Sequence, residues 1–214
     1  MDIQAAVARL NSQLPLKARQ TQLSPALKNL HQAILRSFIE HGRAPTGAEL
    51  EIGLHGEDLG ASLHKLGEAD LIVLDKQEQL PVGAYPLTSE QTPHQIAVNG
   101  HTIHAMCALD ALSVAPMFDE TVNITSRCHI SNSPIKIRMQ GDTLLEARPD
   151  DAIVGIRWQM PTTVAAHSMC MEMVFLENRA TAEHWQDGDT ENISLFTLPE
   201  AVAFGKGFFL PLME

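Results

Sequence analysis

Cations are scarce in this chain: 15 lysines and arginines face 26 aspartates and glutamates over 214 residues, a formal net charge of −11. A groove that neutralises phosphates needs a cationic face, so the balance argues against non-specific nucleic-acid binding. Long apolar runs are missing too. Nothing approaches the roughly 18 apolar residues that cross a bilayer, and no membrane partner is expected. The stretch Met1 to Leu16 is a mixed amphipathic run, without the basic start and apolar centre of a secretory signal. Cysteine is rare as well. Cys107, Cys128 and Cys170 are far apart, and three thiols cannot all pair. Together with the missing signal, this points to free thiols in a reducing cytoplasm. The sequons at Asn123 and Asn192 are then chance matches. Repeats and low-complexity tracts are also absent.

Hydrophobic residues make up 44% and charged residues 19%, which fits a compact soluble protein of one large or two small domains. The N-terminal part, 1–84, reads as a helical module. Ser24-Pro25 offers an N-cap followed by proline at the first helical position. Leu27, Leu30, Ile34 and Phe38 follow at helical spacing, and Gly42 is a plausible stop. Thr46 and Glu49 fit a capping box, and a third helix is expected from about Gly56 to Leu66. Leu71–Leu74 and Val82–Leu87 then read as a hairpin turning at Asp75-Lys76-Gln77. Three helices and a small hairpin is the winged-helix order. The candidate recognition helices nevertheless carry Glu49, Glu51, Glu57 and Asp58, with Lys65 the one lysine or arginine between Glu49 and Leu74. A recognition helix presents Arg, Lys, Asn or Gln to the groove, so packing is favoured over DNA binding.

The second part, 85–214, changes texture. Gln95–Val98 and His101–Ile103 are short strands joined by Asn99-Gly100, a hairpin signal. A helix is expected from Cys107 to about Ala115, ended by Pro116. Strand-like runs follow at Thr121–Ile124, Ile135–Met139, Ala152–Trp158 and Met169–Leu176, separated by turn residues, with a last helix near Pro199–Gly205. The fold class is therefore α+β, built on antiparallel sheet.

Chemistry concentrates at Cys107 and Asp110, three residues apart and on one face of a helix. An unperturbed thiol is only about 3% ionised at pH 7, and a helix N-terminus helps to form the thiolate. Asp110 is a polar exception among Ala108, Leu109, Ala111 and Leu112. It is either an ordinary surface aspartate or a buried acid able to hold a proton. Cys170 lies in an apolar run, where strand alternation puts it on one face with Glu172 and Val174; it is either a core cysteine or a second thiolate aimed at the same pocket. Cys128 reads as structural. His101, His104 and Cys107 also form a zinc-like triplet, but no fourth ligand has metal spacing.

Met106–Leu112, Ser126–Cys128, Ser168–Cys170, Thr181–Trp185 and Glu200–Gly205 resemble the organomercurial (alkylmercury) lyases in order and approximate spacing. The resemblance runs from about Tyr85 to Gly205. It implies a winged-helix-like module followed by an α+β lyase domain. It further implies that Cys107, Asp110 and Cys170 capture mercury and carry catalysis, and that Cys128 is structural. The implied reaction is protonolysis of the carbon–mercury bond to a hydrocarbon and Hg(II), with no resident cofactor. Cellular thiols or a mercuric reductase would remove the product.

Such chemistry is physically reasonable, because mercury(II) is soft and prefers thiolate sulfur. Two departures stand out: Met106 where an aromatic is common, and Met171 where some members carry another cysteine. The competing readings are a non-catalytic thiol-based binder of Hg(II) or Cu(I) and a winged-helix metal sensor.

Overall fold

A computed structural model describes residues 2–52, 54 and 58–214. The N-terminal part is a run of five helices, α1 (Ile3–Gln13), α2 (Leu16–Thr21), α3 (Pro25–His41), α4 (Gly47–Ile52) and α5 (Leu59–Glu68). Helix α3 begins and ends where its sequence dictates. Ser24 Oγ accepts the Leu27 N–H, and Gly42 takes the left-handed conformation at φ 70° with its N–H returned to Phe38 O. Leu27, Leu30, Ile34 and Phe38 are all buried. Ahead of α4, Thr46 and Glu49 cap each other: Thr46 N–H donates to Glu49 Oε2 at 2.7 Å and Glu49 N–H to Thr46 Oγ1 at 3.4 Å. Helix α5 is capped by Asp58, whose Oδ1 accepts the Ala61 N–H at 2.7 Å. Gly56 and Glu57, where the sequence places the start of this helix, lie outside the described residues.

Strands β1 (Ile72–Leu74) and β2 (Pro81–Ala84) form the expected hairpin, with Ile72 opposite Ala84. The return strand expected to run to Leu87 ends at Ala84: the chain reverses at Tyr85-Pro86, where proline has no N–H for the ladder, and β3 (Leu87–Thr88) runs back antiparallel to β2 with Ala84 opposite Leu87. The hairpin does not stand free as a wing. Through β3 it continues into β4 (Gln95–Val98), β5 (His101–Ala105) and, beyond helix α6 (Ala108–Phe118), β6 (Thr121–Arg127), β7 (Pro134–Gln140) and β8 (Thr143–Arg148). These eight strands make one antiparallel sheet in the order β1-β2-β3-β5-β4-β6-β7-β8. The division expected at 84/85 therefore falls inside a continuous sheet.

A second, three-stranded antiparallel sheet is ordered β10-β9-β11, with β9 (Ile153–Arg157), β10 (Met173–Leu176) and β11 (Ile193–Thr197). Helices α7 (Arg179–Gln186) and α8 (Leu198–Phe209) both pack on β9. That explains why β9 is buried almost end to end and why residue 155 is glycine: a Cβ there would come within 2.5 Å of the Trp185 ring.

Helix α6 sits in the middle. Every residue from Ala108 to Met117 is buried, and β6 and β7 turn alternate residues inward. Pro116 lies inside α6 and does not end it. The lost backbone hydrogen bond is outweighed by burial on all sides of the helix. The helix stops three residues later at Asp119, in the left-handed conformation at φ 56° with its N–H on Ala115 O.

Candidate active site

Strand β5 delivers the chain to α6 through Met106 and Cys107. Cys107 is the N-cap of the helix, extended at φ −151° and ψ −179°. Its Sγ accepts the backbone N–H of Asp110 at 3.4 Å, the position where a serine or aspartate oxygen usually sits. Asp110 therefore occupies the first turn and points its carboxylate back toward the capping thiol.

The third member arrives from a different element than expected. Cys170 is not on a strand; it lies in a 3-10 turn, Met169–Glu172, and strand β10 begins only at Met173. The alternation that would have paired it with Glu172 and Val174 does not apply, because side chains in such a turn follow a three-residue period. The turn brings Cys170 onto α6 all the same. The ligand atoms of Cys107, Asp110 and Cys170 all lie within 4.8 Å of one another. Cys107 Sγ also contacts the Met173 thioether at 3.7 Å.

All three side chains are buried, Asp110 at 2% exposure, and Asp110 Oδ2 has no hydrogen-bond partner. Burial pushes the Asp110 carboxyl up to about 7, against the pull of Cys107 through side-chain and backbone hydrogen bonds. Burial likewise raises the Cys107 thiol well above its usual range, helped by its hydrogen bond with Cys170 and the charge of Asp110. The helix N-terminus alone would favour a thiolate at Cys107; desolvation wins. For Cys170, the contact with Cys107 pulls the thiol down, but burial and the charges of Asp110 and Asp70 together leave it raised. Burial thus favours the protonated form of all three groups.

Cys170 forms part of the wall of a cavity of about 420 Å³, together with Val73, Met106, Met173 and Phe175. Cys107 and Asp110 lie behind that wall. Cys128 lines the same cavity farther along, outside the three-donor cluster. Its buried thiol is held somewhat below the usual range: burial opposes this, while hydrogen bonds from Ser131 and from neighbouring backbone N–H groups outweigh it. The zinc-like triplet does not assemble. His104 Nδ1 is engaged with the backbone of Thr92, and His101 packs against Gly42.

The alkylmercury lyase family model matches residues 87–210, more than half of the chain. The chain belongs to that family. It is 33% identical over 110 residues to an alkylmercury lyase of Bacillus cereus, a match covering 51% of this chain and 50% of that relative. The chain thus spans about half the length of that curated relative. A broader match, 27% identical over 178 residues, covers 83% of the chain and 80% of an alkylmercury lyase of Staphylococcus epidermidis. The fold is similar to that in the crystal structure of the mercury-bound form of MerB2, with a TM-score of 0.76, 24% identity, and coverage of 92% and 98% of the two chains.

Met106 and Met171, the two positions singled out in the sequence, both border the cavity. Met106 is 7% exposed and lines its inner wall, whereas Met171 is 64% exposed at its edge. Several neighbours of the site carried no signal in the sequence. Met173 touches Cys107, and His94 binds Ser126 Oγ at 2.8 Å with its proton affinity lowered to about 4, by burial first and by His104 second. His94 lies in the polar stretch Ser89–Gln95 and Met173 in the methionine-rich run Met169–Leu176, and only the fold turns them toward the cavity.

Proposed function

We propose that this chain cleaves the carbon–mercury bond of organomercurials by protonolysis, with Cys107 and Cys170 as mercury ligands and Asp110 as the proton carrier. A single observation carries this reading: two buried thiols and an unpartnered buried carboxyl oxygen share a cluster only 4.8 Å across. A binder that merely held Hg(II) would gain nothing from an acid whose proton affinity sits near neutrality.

The substrate R–Hg⁺ arrives on a cellular thiolate. One site thiol displaces that carrier: a sulfur–mercury bond forms, the carrier bond breaks, and the site proton leaves on the departing thiol. Cys170 is the first to meet the mercury in this scheme, because it reaches the cavity wall. Asp110 then takes the second thiol proton, and Cys107 closes on the metal. Two sulfur donors raise electron density on the attached carbon. The Asp110 carboxyl delivers its proton there, the electron pair of the C–Hg bond forms the new C–H bond, and R–H departs. Hg(II) remains on two thiolates until external thiols or a mercuric reductase take it. No resident cofactor enters the scheme; mercury is substrate and product. Three free cysteines fit a reducing, cytoplasmic setting, and among the described residues no helix is long and apolar enough to cross a membrane.

The test is incubation with phenylmercury or methylmercury and excess thiol, with benzene or methane as the readout. No hydrocarbon above the buffer rate would sink the lyase reading and leave a thiol-based metal binder.

A further inference from the structure

Cys170 sits in a segment without regular structure of its own, two 3-10 turns at Ala165–His167 and Met169–Glu172. What fixes that segment decides where the thiol stands. Its outer ties are weak: Arg157 with Glu172 and His167 with Glu90, each at 3.2 Å between partners that are a third or more exposed. Exposed pairs of this kind do little to hold a backbone.

The inner tie is different. Tyr85, the chain's only tyrosine, is 1% exposed. Its hydroxyl accepts the Ala166 N–H at 2.9 Å and donates to Asp70 Oδ1 at 2.8 Å. Asp70 Oδ2 accepts the Ala165 N–H at 3.4 Å and faces the Arg19 guanidinium at 3.5 Å, and Arg19 also donates to Ala69 O at 3.2 Å. The first N–H groups of a helical turn have no partner within it, and here two of them are met from outside. For packing alone a phenylalanine would fill the same space; the hydroxyl is what joins the two segments.

We propose that Tyr85 and Asp70 act as a clamp that sets the position of the Cys170 thiol against Cys107, making them positioning residues of the mercury site. Asp70 comes from the N-terminal part and Tyr85 from the turn between β2 and β3, so both parts of the chain contribute to the site. It rests on the reading that Cys170 captures mercury. Two further features agree with it. Burial and the Asp70 charge hold the Tyr85 proton far above its ordinary range, so the hydroxyl stays a neutral donor. Asp70 is also close enough to Cys170 for its charge to raise that thiol.

Mercuric chloride titrated against a competing dithiol, read by the thiolate-to-mercury ultraviolet band, tests the clamp. Tyr85→Phe and Asp70→Ala are expected to weaken Hg(II) binding about 10–100-fold, the usual cost of losing a group that orients a metal ligand. Asp70→Asn keeps an acceptor for the Tyr85 hydroxyl and should recover most of the affinity. Leu27→Ala, a core change in α3, serves as the stability control: it lowers Tm and leaves Hg(II) affinity unchanged. Wild-type affinity in Tyr85→Phe, with Tm lowered as in Leu27→Ala, would overturn the proposal. Should Tyr85→Phe not fold, equal wild-type affinity in Asp70→Ala and Asp70→Asn would overturn it as well. Failure of the wild-type chain to release hydrocarbon would remove the lyase reading without touching this comparison, which reads Hg(II) capture alone.

Discussion

The backbone N–H of Asp110 donates to Cys107 Sγ at 3.4 Å, so one thiol both caps helix α6 and faces the carboxylate in its first turn. Capping and chemistry are thereby separable by substitution. Serine is among the best N-cap residues. Cys107→Ser should keep the fold, with a Tm within a few degrees of wild type, and release no benzene from phenylmercury. Cys170→Ser should be equally inactive. Turnover above a tenth of wild type in either variant would remove that thiol from the mechanism.

Asp110→Asn preserves shape but cannot deliver a carboxyl proton. Its hydrocarbon release should fall by about 10²–10⁴-fold, the range for a positioned general acid, while Hg(II) binding by the two thiols persists. Full activity in this variant would refute the proton-carrier role.

The same residue makes a prediction about stability. Burial raises the Asp110 carboxyl to about 7 in the folded protein, against about 4 in an unfolded chain. Between those values the folded state holds a proton that the unfolded state has released. The contribution of Asp110 is therefore most favourable below pH 4 and is lost as pH rises through 7, by about 1.4 kcal/mol per pH unit at most. Denaturant titrations across this window should show the decline in the wild type and a flatter profile in Asp110→Asn. Superimposable profiles would show that the carboxyl is not so displaced.

Met171 is 64% exposed at the edge of the cavity. Met171→Cys should shift stability by no more than about 0.5 kcal/mol, as for most surface changes. Its single-turnover hydrocarbon yield should equal that of wild type. A marked gain in yield would mean that a third thiol takes part after all.

Much of the architecture follows from short-range chemistry. Ser24 and Gly42 bound α3, Thr46 and Glu49 cap α4, and Asn99-Gly100 turns the β4–β5 hairpin, because each device acts within a few residues of itself. Where long-range packing competes, the local signal loses. Pro116 is carried inside α6 by burial. The Leu144–Ala147 stretch, rich in helix formers, is drawn into β8 by pairing with β7. The apolar run around Cys170 bends into a 3-10 turn before it becomes a strand.

The site divides along the same line. Sequence by itself determined that Cys107 and Asp110 stand together at the start of α6, although they meet as N-cap and third helical residue and not on one face of a helix that includes Cys107. It also determined, through ordered motif blocks, the family to which the chain belongs. Only the tertiary structure decided that Cys170 reaches them, that all three are desolvated, and that Tyr85 and Asp70 hold the turn in place. Proton affinities in a site depend on what excludes water, and that is set by residues far apart in the chain.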